Sequence, residues 1–335
     1  MNAIKIVQYG LGPIGLATAK IVLQKPQLQL VGGIDIDPKK IGKDLGTLLE
    51  GIHRSIPISG DAKKILSDTK PDVILHTTSS FLPGIENQLM TCIEAGVHVV
   101  SSTEELFFPY ERNPDFCTRI DTAAKKSGVT VVGTGVNPGF SMDVLPLTLT
   151  GCCIEIQHVR CERVVDAGRR RGPLQKKVGA GLAREEFMER VKTGQFGHIG
   201  LRESALALAS GLGVTLESIQ EAIDPVLADD PITTEFVTIS KGQVAGLRQK
   251  LSGLYQKKKF IELQLDMYVG AASEHDSIFV KGNPPLTMRI DGGIFGDTAT
   301  VASLVNTAGR ILNSPKGLKT MLDLTIPRAF NAVVT

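Results

Sequence analysis

The sequence predicts an α/β protein: a doubly wound parallel sheet, then a second α+β domain with a mixed or antiparallel sheet. Three observations predict it. Short, almost continuously apolar runs alternate with helix-period segments over the first 135 residues. From about residue 150 onward the runs lengthen and mix polar with apolar residues. The length of 335 residues suits two domains of about 150 each. Apolar runs of this kind fit strands buried on both faces, and their alternation with helices implies right-handed βαβ units.

Residues 4–9 read as the first strand. Residues 13–23 follow as a helix, with Ile14, Ala17, Thr18, Ile21 and Val22 at helical spacing and Pro26 as the stop. Strands are expected at 28–34, at 72–77 after a turn at Lys70-Pro71, at 97–101 and at 129–133. Helices are expected at 83–94 and 114–126. Beyond these lie a long strand at 154–166 and helices at 184–192 and 202–212. Strand-like runs follow at 234–240, 260–268, 278–280 and 286–290. Asp297 reads as the N-cap of a last helix carrying Val301, Leu304, Val305, Ala308, Ile311 and Leu312, which ends before Pro315. The expected domains are residues 1–140 and 141–296, with a helix and tail at 297–335 packing back on the first.

Lysine and arginine exceed aspartate and glutamate by 37 − 35 = 2. A nucleic-acid partner would require a basic patch, so none is expected. Arg169-Arg170-Arg171 and Lys257-Lys258-Lys259 read as solvated faces. No apolar run reaches the ~18 residues of a membrane helix, and no membrane association is expected. A strand-like segment beginning at Ile4 leaves little room for a leader, so no signal peptide is expected. Cys92, Cys117, Cys152, Cys153 and Cys161 show no metal-ligand spacing, so no metal is expected. Their odd number suits a reducing cytoplasm. The 35 glycines are a tenth of the chain and imply many turns, or places where backbone approaches a ligand.

Gly10-Leu11-Gly12-Pro13-Ile14-Gly15 lies between the first strand and the first helix. In a Rossmann sheet Gly10 permits the tight turn, Gly12 lets the backbone approach a pyrophosphate, and Gly15 packs helix on strand. The helix N-terminus, Pro13 and Ile14 included, faces the phosphates. Asp35 ends the second strand and suits a ribose 2′-hydroxyl. Asp35 and Asp37 repel a 2′-phosphate, whereas Lys39 and Lys40 neutralise one, so either NAD or NADP is expected. The third and fourth strands end in Thr77-Thr78-Ser79-Ser80 and Ser101-Ser102-Thr103. These hydroxyl residues at strand carboxyl ends suit a nicotinamide ribose, and equally a solvated loop.

Glu104 and Glu105 follow at once. A carboxylate there can serve as base toward an amine or stabilise an iminium, or simply favour a helix start. Ser102-Thr103-Glu104-Glu105-Leu106, Gly135-Val136-Asn137-Pro138-Gly139-Phe140, Arg163-Val164-Val165-Asp166-Ala167 and Gly197-His198-Ile199-Gly200-Leu201-Arg202-Glu203-Ser204 resemble the 2,4-diaminopentanoate dehydrogenase family. That family includes native amine dehydrogenases, and its first domain is similar to dihydrodipicolinate reductase. The likeness runs over residues 3–325. It implies reversible oxidative deamination of a primary amine, such as 2,4-diaminopentanoate or a small alkyl amine, to a carbonyl compound and ammonia. It also implies that a glutamate of the Thr-Glu-Glu-Leu segment is catalytic, Glu104 before Glu105, and that the second domain's sheet pairs across a homodimer. Many relatives carry cysteine where Thr103 stands.

Four residues are candidates for the substrate. Asn137 suits a hydrogen bond to substrate or to the nicotinamide amide, or a turn before Pro138. Phe140 suits an apolar wall, or plain core. Arg163 suits a substrate carboxylate through its fork, or a structural ion pair. His198 suits the same carboxylate or the orientation of substrate, or a helix entry or loop. Asp166, Arg169, Gln175 and Lys176 suit an interface or closing loop as well as direct contact. The rival readings are a dihydrodipicolinate reductase-like imine reductase, whose His-His-x-x-Lys motif is absent from 154–180, a thiol-dependent semialdehyde dehydrogenase, and a non-catalytic NAD(P) sensor.

Overall fold

The computed structural model describes residues 3–170, 172–193 and 197–330; Arg171 of the basic run lies outside the described residues. Contacts group the chain into two units. One runs to Phe140 and resumes at Phe295, and the other spans Ser141–Ile294.

The first unit opens with β1 (Ile4–Tyr9), α1 (Pro13–Leu23) and β2 (Leu28–Ile34). It continues with α2 (Leu45–Glu50), β3 (Ile58–Ser59), α3 (Ala62–Thr69) and β4 (Val73–His76). Then come α4 (Glu86–Glu94), β5 (His98–Ser101), α5 (Pro114–Lys126) and β6 (Thr130–Gly133). Proline at the first helical turn starts α1 and α5, where its missing N–H costs nothing. Asp44 and Asp61 cap α2 and α3 through their carboxylates. The strands are buried on both faces; β4 has no exposed residue.

After the second unit the chain returns as α10 (Gly296–Ile311) and β15 (Gly317–Lys319), which are numbered after the second unit's elements given below. α10 packs on α1, and β15 pairs in parallel with β6. Asp297 is not the N-cap: Phe295 holds that position, and Asp297 lies in the first turn, where its charge complements the positive helix end. The sheet order is β15-β6-β5-β4-β1-β2-β3, all parallel. The order reverses between β1 and β4, which opens a crevice at their carboxyl ends.

The second unit contains α6 (Val144–Thr150), β7 (Glu155–Asp166), α7 (Gly172–Lys177), α8 (Arg184–Lys192) and α9 (Leu201–Gly211). Next are β8 (Ser218–Leu227), β9 (Ile232–Thr233), β10 (Thr238–Ile239) and β11 (Val244–Tyr255). It ends with β12 (Lys258–Tyr268), β13 (His275–Asn283) and β14 (Leu286–Asp291). Its six-stranded sheet runs β14-β13-β7-β12-β11-β8. Only β7 and β12 pair in parallel, so the sheet is mixed. Val159, Cys161, Leu251, Ile261, Leu263 and Ile278 form part of its core with α9.

The two long strands of the second unit that lacked a clear sequence signal are β8 and β11. β8 is an edge strand that pairs with β11 alone and carries Pro225; edges tolerate proline and polar residues. β11 is interrupted by Gly246 and Gly253, with a register shift after Gly253. The strand expected at 234–240 shrinks to β10. The Thr234 hydroxyl accepts the N–H groups of Phe236 and Val237 and folds the chain into a turn instead.

Candidate cofactor and active site

The glycine turn joins β1 to α1. Gly10 has φ +87°, and a Cβ there would meet the Thr77 carbonyl at 2.6 Å. Its own N–H donates to the Ile34 carbonyl at 2.8 Å. A Cβ at Gly15 would collide with the Gly10 carbonyl oxygen. Gly12 differs: beyond its own chain neighbours, no atom of the described residues lies within 4 Å of where its Cβ would be, so packing against the described chain does not require glycine there. Gly12 is the N-cap of α1 and offers no side-chain cap. The first-turn N–H groups therefore face an open cradle beside a positive helix end, which fits a pyrophosphate. Pro13 is exposed and Ile14 half-buried at this end.

Asp35 follows β2. Its Oδ2 accepts the Leu11 N–H at 2.7 Å and Lys40 Nζ at 3.1 Å, and its Oδ1 accepts the Asp37 N–H at 2.8 Å. Burial disfavours its charge, but these donors overcome that and hold its carboxyl below the usual range. A carboxylate has about four acceptor positions, so Oδ1 keeps room for one ribose hydroxyl. Lys40 also donates to the Leu11 carbonyl at 2.9 Å. It staples the glycine turn to β2, whereas Lys39 is exposed.

The loops after β4 and β5 are tied into one strip. Gln8 Nε2 donates to Thr77 Oγ1 at 2.9 Å, and the Thr77 hydroxyl donates to the Gly10 carbonyl at 2.9 Å. Thr103 Oγ1 donates to the Ser79 carbonyl at 2.8 Å. The Glu105 N–H donates to the Ser80 carbonyl at 3.2 Å, and Glu105 Oε2 accepts the Leu82 N–H at 2.8 Å. The Ser79 hydroxyl accepts the Phe81 N–H. The turn Glu104–Leu106 rests on β6, where a Cβ at Gly133 would meet Leu106 and Phe107 backbone at 2.6 Å.

The expected site residues separate along this strip. Ser79, Ser80, Ser102 and Glu104 are half-buried. Thr78 is exposed, but its hydroxyl bonds inward to His76 and Gln88. Thr103, expected as a cofactor contact, is 1% exposed, and its hydroxyl bonds link Ser101 to Ser79; it builds the loop. Glu105 is half-buried like its neighbour Glu104, and its side chain accepts the Leu82 N–H. Asn137 is half-buried after β6, in a turn closed by Gly139 (φ +131°). Phe140, also half-buried, ends this stretch of the unit.

In the second unit Arg163 is not placed as a carboxylate receptor. Its side chain is 4% exposed. Nη1 donates to Asp276 Oδ1 at 2.6 Å and Nη2 to the Ile294 carbonyl at 2.5 Å. β7 alternates, and Arg163 falls on its buried face while Arg160 lies exposed over Phe279. His198 is half-buried. Its N–H and carbonyl pair with the side-chain amide of Gln249, at 2.8 and 3.0 Å. Asp166 accepts the N–H groups of Gly168 and Gly270, and Arg169 pairs with Glu274. Gln175 is fully buried and donates to two backbone carbonyls, while Lys176 is exposed. Sequence reasoning missed His76, Gln88 and Gln249. For His76 the signal was a histidine closing an otherwise apolar strand.

Burial raises the thiols of Cys92 and Cys117 to about 12 and about 11, and also raises Cys161. Thiols in that state are poor nucleophiles. Among the described residues no cluster of three or more His, Cys, Asp or Glu could hold a metal. No helix there is long and apolar enough to cross a membrane.

The parallel sheet, its glycine cradle and the mixed-sheet unit define a two-unit NAD(P)-dependent dehydrogenase. Residues 4–109 match the family described as dihydrodipicolinate reductase, N-terminus, and residues 140–335 match the 2,4-diaminopentanoate dehydrogenase C-terminal domain. The chain belongs to the 2,4-diaminopentanoate dehydrogenase family. It is 31% identical to the 2,4-diaminopentanoate dehydrogenase of Acetoanaerobium sticklandii, covering 98% of this chain and 95% of that one. It is 23% identical to an amine dehydrogenase of Streptomyces virginiae, covering 93% and 91%. The solved amine dehydrogenase of Mycobacterium smegmatis superposes with a TM-score of 0.86 at 27% identity, covering 98% and 97%.

Proposed function

We propose that this protein is an NAD(P)-dependent amine dehydrogenase in which Glu104 is the acid–base group. One observation carries the assignment of Glu104. It opens a turn at the carboxyl end of β5 that is tied to the serine loop after β4, on the same sheet edge as the glycine cradle. The named relatives support the reaction class. With its pyrophosphate at the cradle, a bound dinucleotide would supply the nicotinamide as hydride acceptor. The amine-bearing carbon loses hydride, its C–N bond becomes an iminium, and water releases a carbonyl compound and ammonia. Glu104 removes the ammonium proton that otherwise blocks hydride loss and passes it to solvent, so that its regained carboxylate faces the iminium charge as it forms. In the reverse direction it returns the proton.

The substrate class includes 2,4-diaminopentanoate and small alkyl amines, with Asn137, Phe140 and His198 as substrate contacts. Arg163 is assigned to architecture. The exposed Lys39, in the loop that follows Asp35, suits use of NADP as well as NAD. The second unit's mixed sheet is the proposed homodimer face, and the cytoplasm the proposed compartment. The test is amine-dependent NAD(P)⁺ reduction over these two amine classes, in wild type and Glu104→Gln. Turnover in wild type and its loss in the variant, with NADH binding retained, support the reading. Turnover in both removes Glu104. Tight cofactor binding without turnover of any amine leaves a sensor.

A further inference from the structure

His76 closes β4 with no exposed surface. Its Nδ1 lies 2.8 Å from Ser101 Oγ. Its Nε2 lies 2.9 Å from Thr78 Oγ1 and 2.7 Å from the carboxamide end of Gln88. Ser101 Oγ is 3.0 Å from Thr103 Oγ1 and accepts the Thr103 N–H at 3.1 Å. Thr103 Oγ1 reaches the Ser79 carbonyl at 2.8 Å. The Tyr9 ring meets the imidazole edge-to-face at 5.4 Å.

Proton counting fixes the direction of this chain. The Ser79 carbonyl can only accept, so the single Thr103 hydroxyl proton goes there. Ser101 must then donate to Thr103, and its oxygen must accept from His76. The imidazole therefore carries its proton on Nδ1. Nε2 is left to accept from the Thr78 hydroxyl, and the nitrogen of the Gln88 amide, not its oxygen, faces the ring. No carboxylate touches the imidazole among its described partners, and full burial opposes a charged ring. The row of donors begins at half-buried Gln88 on α4, becomes buried at His76, Ser101 and Thr103 across β4 and β5, and ends on the serine loop.

We propose that His76 and Thr103 are positioning residues for the proposed reaction. The neutral imidazole, through Ser101, holds the Thr103 hydroxyl against the Ser79 carbonyl. It thereby fixes where Glu104 stands relative to the serine loop. This rests on the reading of Glu104 as the acid–base group. Neither residue need touch substrate. Thr103 is the peptide neighbour of Glu104, and a displacement of about 1 Å at a reacting group can cost about a hundredfold in rate.

The experiment uses the full chain in three measurements. Amine-dependent kcat is compared in wild type, Thr103→Val and Thr103→Ser, with thermal unfolding as the folding control. NADH affinity is read from its fluorescence. The tautomer of His76 is read in the wild type from ¹⁵N shifts of the imidazole nitrogens at neutral pH. We expect Thr103→Val to lower kcat about 10–100-fold and to weaken NADH, while Thr103→Ser stays within about threefold of wild type. We expect His76 neutral and protonated on Nδ1. A folded Thr103→Val with kcat and NADH affinity within about twofold of wild type overturns the proposal. So does an Nε2–H tautomer or an imidazolium, which decides the matter even where Thr103→Val does not fold. A wild type inert toward amines refutes the Glu104 reading alone. The tautomer and the NADH affinities then still judge the relay.

Discussion

Arg163 and Asp276 meet at 2.6 Å with 4% and 3% of their side chains exposed, and together they hold both polar groups of Ile294. Nη2 of Arg163 donates to the Ile294 carbonyl, and Asp276 Oδ2 accepts the Ile294 N–H at 2.7 Å. Ile294 is the last residue of the second unit. Arg163→Met leaves Asp276 buried without its cation and is expected to cost about 3–5 kcal/mol by denaturant unfolding. Replacing Asp276 as well, by Leu, should recover part of that loss. An unchanged unfolding midpoint in Arg163→Met would show that the pair does not hold Ile294.

Gly12 and Gly15 should respond in opposite ways to the same substitution. Gly15→Ala drives a methyl into the Gly10 carbonyl and should destabilise the fold by about 1–3 kcal/mol. Gly12→Ala meets no described protein atom. It should leave the melting temperature within about 1 °C while weakening NADH by about tenfold or more, because the methyl fills the phosphate cradle. Equal NADH affinity in folded Gly12→Ala would count against the cradle.

Glu104 and Glu105 are distinguished by what each carboxyl must do. The Glu105 side chain accepts the Leu82 N–H, and a glutamine oxygen can do the same. Glu105→Gln should therefore retain kcat within about threefold, whereas Glu104→Gln should lose about 10²–10⁴. The reverse order in steady-state rates would exchange the two assignments.

His76 gives stability a sign with pH. Burial pushes its imidazole down to about 4 from 6.5 in the unfolded chain. Between those values the unfolded state binds more protons, so stability rises with pH there. The contribution is complete above pH 6.5, falls as pH drops toward 4, and totals about 3 kcal/mol. His98 is lowered to about 4, by burial and then by Lys316, and acts with the same sign. His76→Asn should therefore make unfolding free energy less steep in pH over this window without flattening it. An unaltered slope would mean that His76 does not titrate between the two states.

The parallel sheet was legible because its strands are buried on both faces and read as apolar runs, with Gly10, Gly12 and Gly15 at a fixed place between strand and helix. The second unit was less so. β8 and β11 carry proline, glycine and charge that only an edge position and a bulge explain. Asp297 looked like a cap because first-turn acids and N-caps share a residue preference. Among site residues, position along the strands pointed to Glu104 and the serines, but not to which hydroxyls turn inward. Thr78, Ser102 and Thr103 are alike in sequence, yet only burial and partners show that Thr103 faces the interior. Arg163 carried the right chemistry for a carboxylate and meets the carboxylate of Asp276. Asp276 lies on β13, more than a hundred residues away in the chain, and no local pattern announces it.

The edge of β6 is covered by β15, which begins at Gly317, near the far end of the chain. On a ribosome, β6 emerges early and the whole of 141–294 follows before its neighbour is made. Throughout that interval the nascent sheet exposes an unpaired, apolar strand edge of the sort that invites association with other chains. A ribosome stalled after the second unit would therefore release a chain whose first sheet still lacks β15 along β6.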